Sequence, residues 1–293
     1  MPADHLPPSQ QPSPQSPPVW DPAWGQAVEA PMARTEAKPR RRGLTMVMDK
    51  GMSLAEGRGW LDLCAPYVDF VKLAFGTSVL YDGRVLAEKI RLFRHFGVEV
   101  YPGGTLLEIA IMQDRVKAFV ERARRLGFKT LEVSDGTINL RPRYRERLIR
   151  ALTAEGFQVL TEVGKKHPAD RVPHMRIREQ ILEDLAAGAF KVIVEGRESG
   201  KGVVIYRDDG SIDGDELESL ARVVPDPDLL IWEAPHKDQQ QDLILRFGPN
   251  ANLGNIRPEE VLSLEALRQG MRGDTLRHIL LTRPQPSGEP TWP

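Results

Sequence analysis

Residues 153–166, TAEGFQVLTEVGKK, hold the unit whose repetition decides the fold. Gly156 is placed to end the segment before it, because glycine takes the left-handed conformation of a helix C-cap without steric cost. From Gln158 to Val163 a short apolar and β-branched run reads as a strand, and Glu162 interrupts it near its end. Gly164, Lys165 and Lys166 then follow as a loop. The same order recurs where RHFG precedes VEVY (94–101), RRLG precedes FKTLEV (124–133) and AAG precedes AFKVIV (186–194).

Working outward, strand candidates lie at 45–49, 69–74, 98–102, 129–134, 158–163, 190–195, 229–233 and 252–256. Helix-length stretches separate them. The clearest puts Val116, Phe119, Val120, Ala123 and Leu126 on one face, with Arg122, Arg124 and Arg125 on the other. Eight strand–helix units read as an α/β fold, a closed (β/α)8 TIM barrel in a single domain over residues 41–281. An open doubly wound sheet would carry fewer strands and a Gly-rich first turn. A chain of 293 residues, 41% hydrophobic, is long enough for such a barrel, which takes about 250.

The flanks differ in kind. Residues 1–40 contain ten of the 24 prolines, spaced by Ser and Gln without periodicity, and read as a disordered tail with polyproline II character. Residues 282–293 read as a second disordered tail. The first tail has no apolar stretch of a secretory signal, and its removal is expected to leave the barrel's activity intact. Arg40, Arg41 and Arg42 read as a solvated approach to the first strand, and Trp20 and Trp24 as residues able to dock on the body or a partner. A formal charge of −1 gives no electrostatic reason to expect nucleic acid or an anionic membrane as partner. No run approaches the roughly 20 apolar residues of a membrane span. The one cysteine, Cys64, reads as a packed hydrophobe and suits a reducing cytoplasm.

Six of the eight strands carry a charged residue where a barrel interior would begin: Asp49, Lys72, Glu132, Glu162, Glu195 and Glu233. Alternation puts Glu162 on one face with Leu160, Glu195 with Ile193, Glu233 with Ile231 and Glu132 with Ser134. The residues between them are mostly apolar and suit packing under helices, so the charges are expected to point into the barrel near the carboxyl ends of its strands. Barrel enzymes place their chemistry there. Buried carboxylates are costly unless paired or metal-bound, so the competing reading is a polar core in which they pair with Lys72, Lys165 and Arg197.

The loops at that end are YPGGT, SDGT, GKKHP and EGRESGKG. Their glycines let backbone N–H groups approach an anion, and Lys165, Lys166, Arg197 and Lys201 add positive charge. Gly196 to Lys201 is not a nucleotide P-loop, because three residues separate its glycines and Gly202 stands where Ser or Thr would hold Mg2+. Asn252, Gly254 and Asn255 lie where barrels often build a phosphate site. Carboxylates and cations together point to Mg2+ and an anionic, phosphorylated small substrate, with Glu132, Glu162 and Glu195 as candidate ligands. His167, His174 and His236 lack ligand spacing.

At these residues the chain resembles the phosphosulfolactate synthase family of coenzyme M biosynthesis. The resemblance runs from about Gly43 to Thr275 and rests on LTMVMDKG, VDFVKLAFGTS, VEVYPGGTLLE, LEVSDGTI, VLTEVGKK, VIVEGRESGKGV, FGPNANLGNI and MRGDT. It implies a cytoplasmic barrel lyase that uses Mg2+ to add sulfite to phosphoenolpyruvate, giving (R)-2-phospho-3-sulfolactate. Negative charge gathers on the substrate carboxylate as sulfite attacks, and a proton must then reach the carbon bearing phosphate. By resemblance and position, Lys165 is the expected general acid, with a pKa lowered by neighbouring cations, and Lys72 is the alternative. Lys166, Arg197, Lys201 and Asn255 are the expected substrate-binding residues, and a homo-oligomer is implied. The family is also similar to plant heat-stress-associated proteins, a non-catalytic alternative. A barrel enzyme acting on another enolpyruvyl or phosphorylated acid is a further one.

Overall fold

The computed structural model describes residues 23–24, 27–167, 170 and 172–282. Eight parallel strands form one sheet: β1 (Thr45–Asp49), β2 (Phe70–Leu73), β3 (Glu99–Pro102), β4 (Thr130–Val133), β5 (Gln158–Val163), β6 (Lys191–Val194), β7 (Leu230–Glu233) and β8 (Leu253–Ile256). Every expected strand lies within a residue or so of its observed place. Helices α1 (Leu54–Cys64), α2 (Gly83–His95), α3 (Gly104–Met112), α4 (Val116–Leu126), α5 (Pro142–Ala154), α6 (His174–Ala187), α7 (Gly214–Ala221), α8 (Lys237–Phe247), α9 (Val261–Arg268) and α10 (Gly273–Thr282) surround it. All four expected glycine stops are left-handed: Gly127 after α4 (φ 97°) and Gly188 after α6 (φ 109°) are the caps themselves, and Gly97 (φ 69°) and Gly156 (φ 85°) follow the caps of α2 and α5.

The strand order β3-β2-β1-β8-β7-β6-β5-β4 closes the ring except between β3 and β4, which share no ladder. Gly104 crosses this seam, its N–H donating to Glu132 Oε1 on β4 at 2.7 Å. A side chain there would collide, since a Cβ on Gly104 would lie 2.5 Å from the Ser134 Cβ.

Alternation along each strand sorts side chains into two environments. Val47, Val71, Leu131, Val159, Val192 and Leu230 pack outward under the helices. Met46, Phe70, Tyr101, Leu160, Ile193 and Ile231 fill the barrel interior as an apolar layer. Two residues further along the strands stand Met48, Lys72, Glu162, Glu195 and Glu233, all buried. The charged ring therefore lies directly on an apolar floor, near the carboxyl ends, as expected.

Asp49 is a correction to that expectation. It follows the parity of Val47, not Met46 and Met48, so its side chain leaves the barrel wall toward α2. There it pairs with Lys89 at 2.5 Å, both fully buried, and accepts the N–H groups of Gly51 and Met52 at 2.8 Å. It braces the loop after β1 instead of facing the interior.

The expected boundary between residues 40 and 41 also moves. Residues 32–42 form a strap across the amino-terminal end of the barrel. Met32 N–H donates to the Gln269 carbonyl at 3.0 Å, and Arg34 pairs with Glu265 of α9. Lys38 Nζ donates to the carbonyls of Ala65 (2.8 Å) and Val68 (2.5 Å), and Arg40 pairs with Asp69 at 3.0 Å. Arg40 is thus a buried structural cation, not a solvated one; its partner Asp69 also receives the N–H of Thr45 at 2.9 Å. The remaining tail expectations, including Trp20 and residues 283–293, lie outside the described residues; Trp24 is exposed.

Candidate active site

A cavity of about 640 Å³ opens at the carboxyl ends of the strands, with Lys72, Thr105, Glu162, Lys166, Glu195, Arg197, Glu233, Asn255 and Arg257 on its wall. At its base Lys72 Nζ meets three carboxylates: Glu162 Oε2 at 2.8 Å, Glu132 Oε2 at 3.1 Å and Glu233 Oε1 at 3.3 Å. Burial opposes the ammonium charge, but these glutamates hold its pKa well above the usual lysine value. Three further carboxylate oxygens have their own donors. Glu162 Oε1 takes the Ser134 hydroxyl at 3.0 Å, Glu233 Oε2 the Gly196 N–H at 2.9 Å, and Glu195 Oε1 the Arg197 N–H at 2.6 Å.

Lys166 reaches the same cluster from above, 3.1 Å from Glu162 Oε1 and 3.8 Å from Glu195 Oε2. Burial would lower its pKa, but Glu162 and Glu195 raise it above the usual lysine range. The lysine expected to be lowered by neighbouring cations is Lys165, not Lys166; around Lys166 the nearest charges are carboxylates, which raise it. Three of the glutamates divide accordingly. Burial would raise Glu162, yet Lys166 and Lys72 hold it well below the usual carboxylate range. Burial raises Glu132 to about 7 despite Lys72, and burial with Glu162 and Glu233 beside it pushes Glu195 well up.

One oxygen from each of Glu162, Glu195 and Glu233 lies within 4.8 Å of the others. This differs from the expected trio in exchanging Glu132 for Glu233. Glu132 is committed to Gly104 N–H and Lys72 across the seam, whereas β5, β6 and β7 are consecutive in the ring. The residues present fit a hard divalent cation. All donors are oxygens, and four buried carboxylates, if all ionised, would exceed the two ammonium groups by two charges, an excess that raises Glu132 and Glu195 and that a divalent cation would offset.

The other expected residues separate sharply. Arg197 and Asn255 line the cavity, both with left-handed backbone (φ 58° and 56°), and the Asn255 amide lies 3.5 Å from the Arg197 carbonyl. Non-glycine residues held there carry strain of about 1–3 kcal/mol, a cost that concentrates at functional sites. Lys201 is exposed and stands off the cavity wall. Asn252 sits at the opposite end of β8, tying Leu44 N–H and the carbonyls of Asp228 and Leu230. Lys165 does not fit the role of proton donor, because its ammonium turns away into the β4–α5 loop to meet the carbonyls of Asp135 and Ile138. The parity of β5, carried three residues past its end, would have pointed Lys166 inward with Glu162. Arg257 and Thr105 gave no sequence signal beyond their places directly after β8 and β3.

Fold and site together define a (β/α)8-barrel protein with a lysine–carboxylate centre at the carboxyl ends of its strands. The chain belongs to the (2R)-phospho-3-sulfolactate synthase (ComA) family, whose model matches residues 33–274. It is 48% identical over 247 residues to a phosphosulfolactate synthase of Methanothermobacter thermautotrophicus, covering 83% of this chain and 95% of that one. Identity to the protein of that name in Methanocaldococcus jannaschii is 44% over 242 residues, covering 82% and 96%. Among solved structures, 3-hexulose-6-phosphate synthase from Salmonella typhimurium shares the fold alone, with a TM-score of 0.50 and 14% identity over 82% of this chain and all of that one. Among the described residues no helix is long and apolar enough to cross a membrane.

Proposed function

We propose that this protein is a phosphosulfolactate synthase that adds sulfite to phosphoenolpyruvate. Family membership supports the reading, and the observation that carries it is Lys166, whose ammonium enters the cavity already paired with Glu162. A lysine beside carboxylates carries its proton at neutral pH and so has one to give, although the same carboxylates make it a weaker acid than a free lysine. Sulfite sulfur forms the new bond to the methylene carbon, the double-bond electrons move toward the substrate carboxylate, and Lys166 delivers a proton to the carbon bearing phosphate. Lys72 keeps the carboxylates apart in charge and position beneath it. Mg2+ held by Glu162, Glu195 and Glu233 would stabilise the charge developing on the substrate carboxylate.

Arg197 and Arg257 line the cavity, and among the described residues neither guanidinium pairs with a carboxylate. They are the groups available to the substrate phosphate. The test is to incubate the protein with phosphoenolpyruvate, sulfite and Mg2+ and follow phosphorus NMR and product mass. The expected product is 2-phospho-3-sulfolactate. Lys166→Met should lower kcat by about 10²–10⁴, the usual worth of a general acid. Absence of product, or a Lys166→Met variant as active as the parent, would sink the assignment.

A further inference from the structure

Two adjacent lysines follow β5, and only Lys166 enters the cavity. The Lys165 side chain is 8% exposed, and its Nζ donates to the carbonyls of Asp135 at 2.5 Å and Ile138 at 2.8 Å, with Asp135 Oδ2 3.6 Å away. Both carbonyls belong to the loop of residues 134–138, SDGTI, between β4 and α5. A buried ammonium is expensive to desolvate, and an apolar side chain would fill the same space at lower cost. The charge here meets two carbonyls that face inward and draws them into one turn.

That turn serves the site twice. Ser134 donates to Glu162 Oε1 at 3.0 Å, and its hydroxyl is itself oriented by Gly136 N–H at 3.1 Å. The Gly136 carbonyl accepts from Lys166 N–H at 3.0 Å, and the Lys166 stem lies over the glycine so closely that a Cβ would sit 3.0 Å from its Cε. The turn is anchored on its far side as well. Arg145 of α5 grips Asp184 of α6 through two nitrogens (2.8 and 2.6 Å), pairs with Asp135 at 3.1 Å and donates to the Glu162 carbonyl at 3.0 Å.

We propose that Lys165 is a positioning residue for the reaction. Its ammonium closes the 134–138 turn, and the turn fixes the Lys166 stem and the Glu162 carboxylate against the cavity. The pair of lysines therefore divides its labour by strand parity, one holding the bed on which the other lies. This rests on the proposal that Lys166 donates the proton. A displacement of about 1 Å in a reacting group can cost about 10²-fold in rate.

The experiment compares steady-state kinetics of the parent, Lys165→Met, Lys165→Arg and Lys166→Met. Lys165→Met is expected to lower kcat by about 30–100-fold while KM for phosphoenolpyruvate stays within about threefold. Lys165→Arg, which can still reach both carbonyls, is expected to recover most of kcat. Parent-like kcat in Lys165→Met, or an Arg variant as slow as the Met variant, overturns the proposal. If Lys165→Met fails to fold, Gly136→Ala tests the same bed, with a kcat loss at unchanged KM expected and parent-like kcat overturning it. If the parent makes no product, the reaction assignment has failed. The brace is then read from labelling of Lys166 by an amine-selective reagent, expected to speed up several-fold in Lys165→Met or, failing its folding, Gly136→Ala. Unchanged labelling overturns it.

Discussion

Gly104 shows how much a single residue carries at the one place where the barrel has no ladder. Its N–H reaches the Glu132 carboxylate across the seam, and a Cβ would lie 2.7 Å from that same oxygen. Gly104→Ala must push Glu132 and Ser134 away, and overpacking of this kind costs about 1–3 kcal/mol. The expected result is a denaturation midpoint lowered by that amount together with a slower enzyme, because Glu132 also holds Lys72. An unchanged midpoint would show that the seam is held by other contacts. Nothing in PGGT distinguishes Gly104 from Gly103 when read along the chain. The requirement comes from β4, which lies nearly thirty residues on in sequence and beside it in space.

At the scale of elements, the amino-terminal strap and the loop after β5 teach the same lesson in opposite directions. Proline content made residues 1–40 read as one disordered tail, yet Arg34, Lys38 and Arg40 bind carbonyls and carboxylates at the bottom of the barrel. Composition cannot report such contacts, since Glu265 and Asp69 lie far away along the chain. The consequence differs from the expected tolerance of a 40-residue deletion. Removing residues 1–26 should leave Tm within about 2 °C, whereas removing residues 1–42 leaves Asp69 and Glu265 buried without their cations. Each such loss is worth about 3–5 kcal/mol, and 1 kcal/mol is about 2–4 °C in a domain of this size, so a fall of roughly 10 °C or more is expected in differential scanning calorimetry. A parent-like Tm for the longer deletion would reduce the strap to an ornament. The loop after β5 was legible in principle. The strand parity of Glu162, carried on past Val163, falls on Lys166, whereas the resemblance had given the proton to Lys165 and substrate binding to Lys166.

Across the whole molecule, an apolar floor of Met46, Phe70, Tyr101, Leu160, Ile193 and Ile231 lies under a layer of carboxylates and ammonium groups. That stacking sets the pH behaviour. A carboxyl raised to about 7, as in Glu132, keeps its proton in the folded protein after the unfolded chain has lost it near 4.5. The folded state then binds more protons, so stability from this group falls as pH rises from about 4.5 to 7, by on the order of 2–3 kcal/mol. Glu195, also raised, acts in the same direction. Mg2+ should oppose this loss by occupying ionised carboxylates. The expected Tm rise with saturating Mg2+ is several degrees, larger at pH 8 than at pH 6, and reversed by chelation. No shift at either pH would argue against a divalent cation in this cluster. Strand positions, the barrel and the charged ring apart from Asp49 were all present in the sequence, because alternation and helix periodicity are local consequences of backbone geometry. Which three glutamates converge, which lysine enters the cavity and where the amino-terminal strap docks were decided only in the tertiary structure. These depend on ring closure, which makes β5, β6 and β7 neighbours, leaves Glu132 at the seam, and joins residues hundreds of positions apart through contacts that no local pattern encodes.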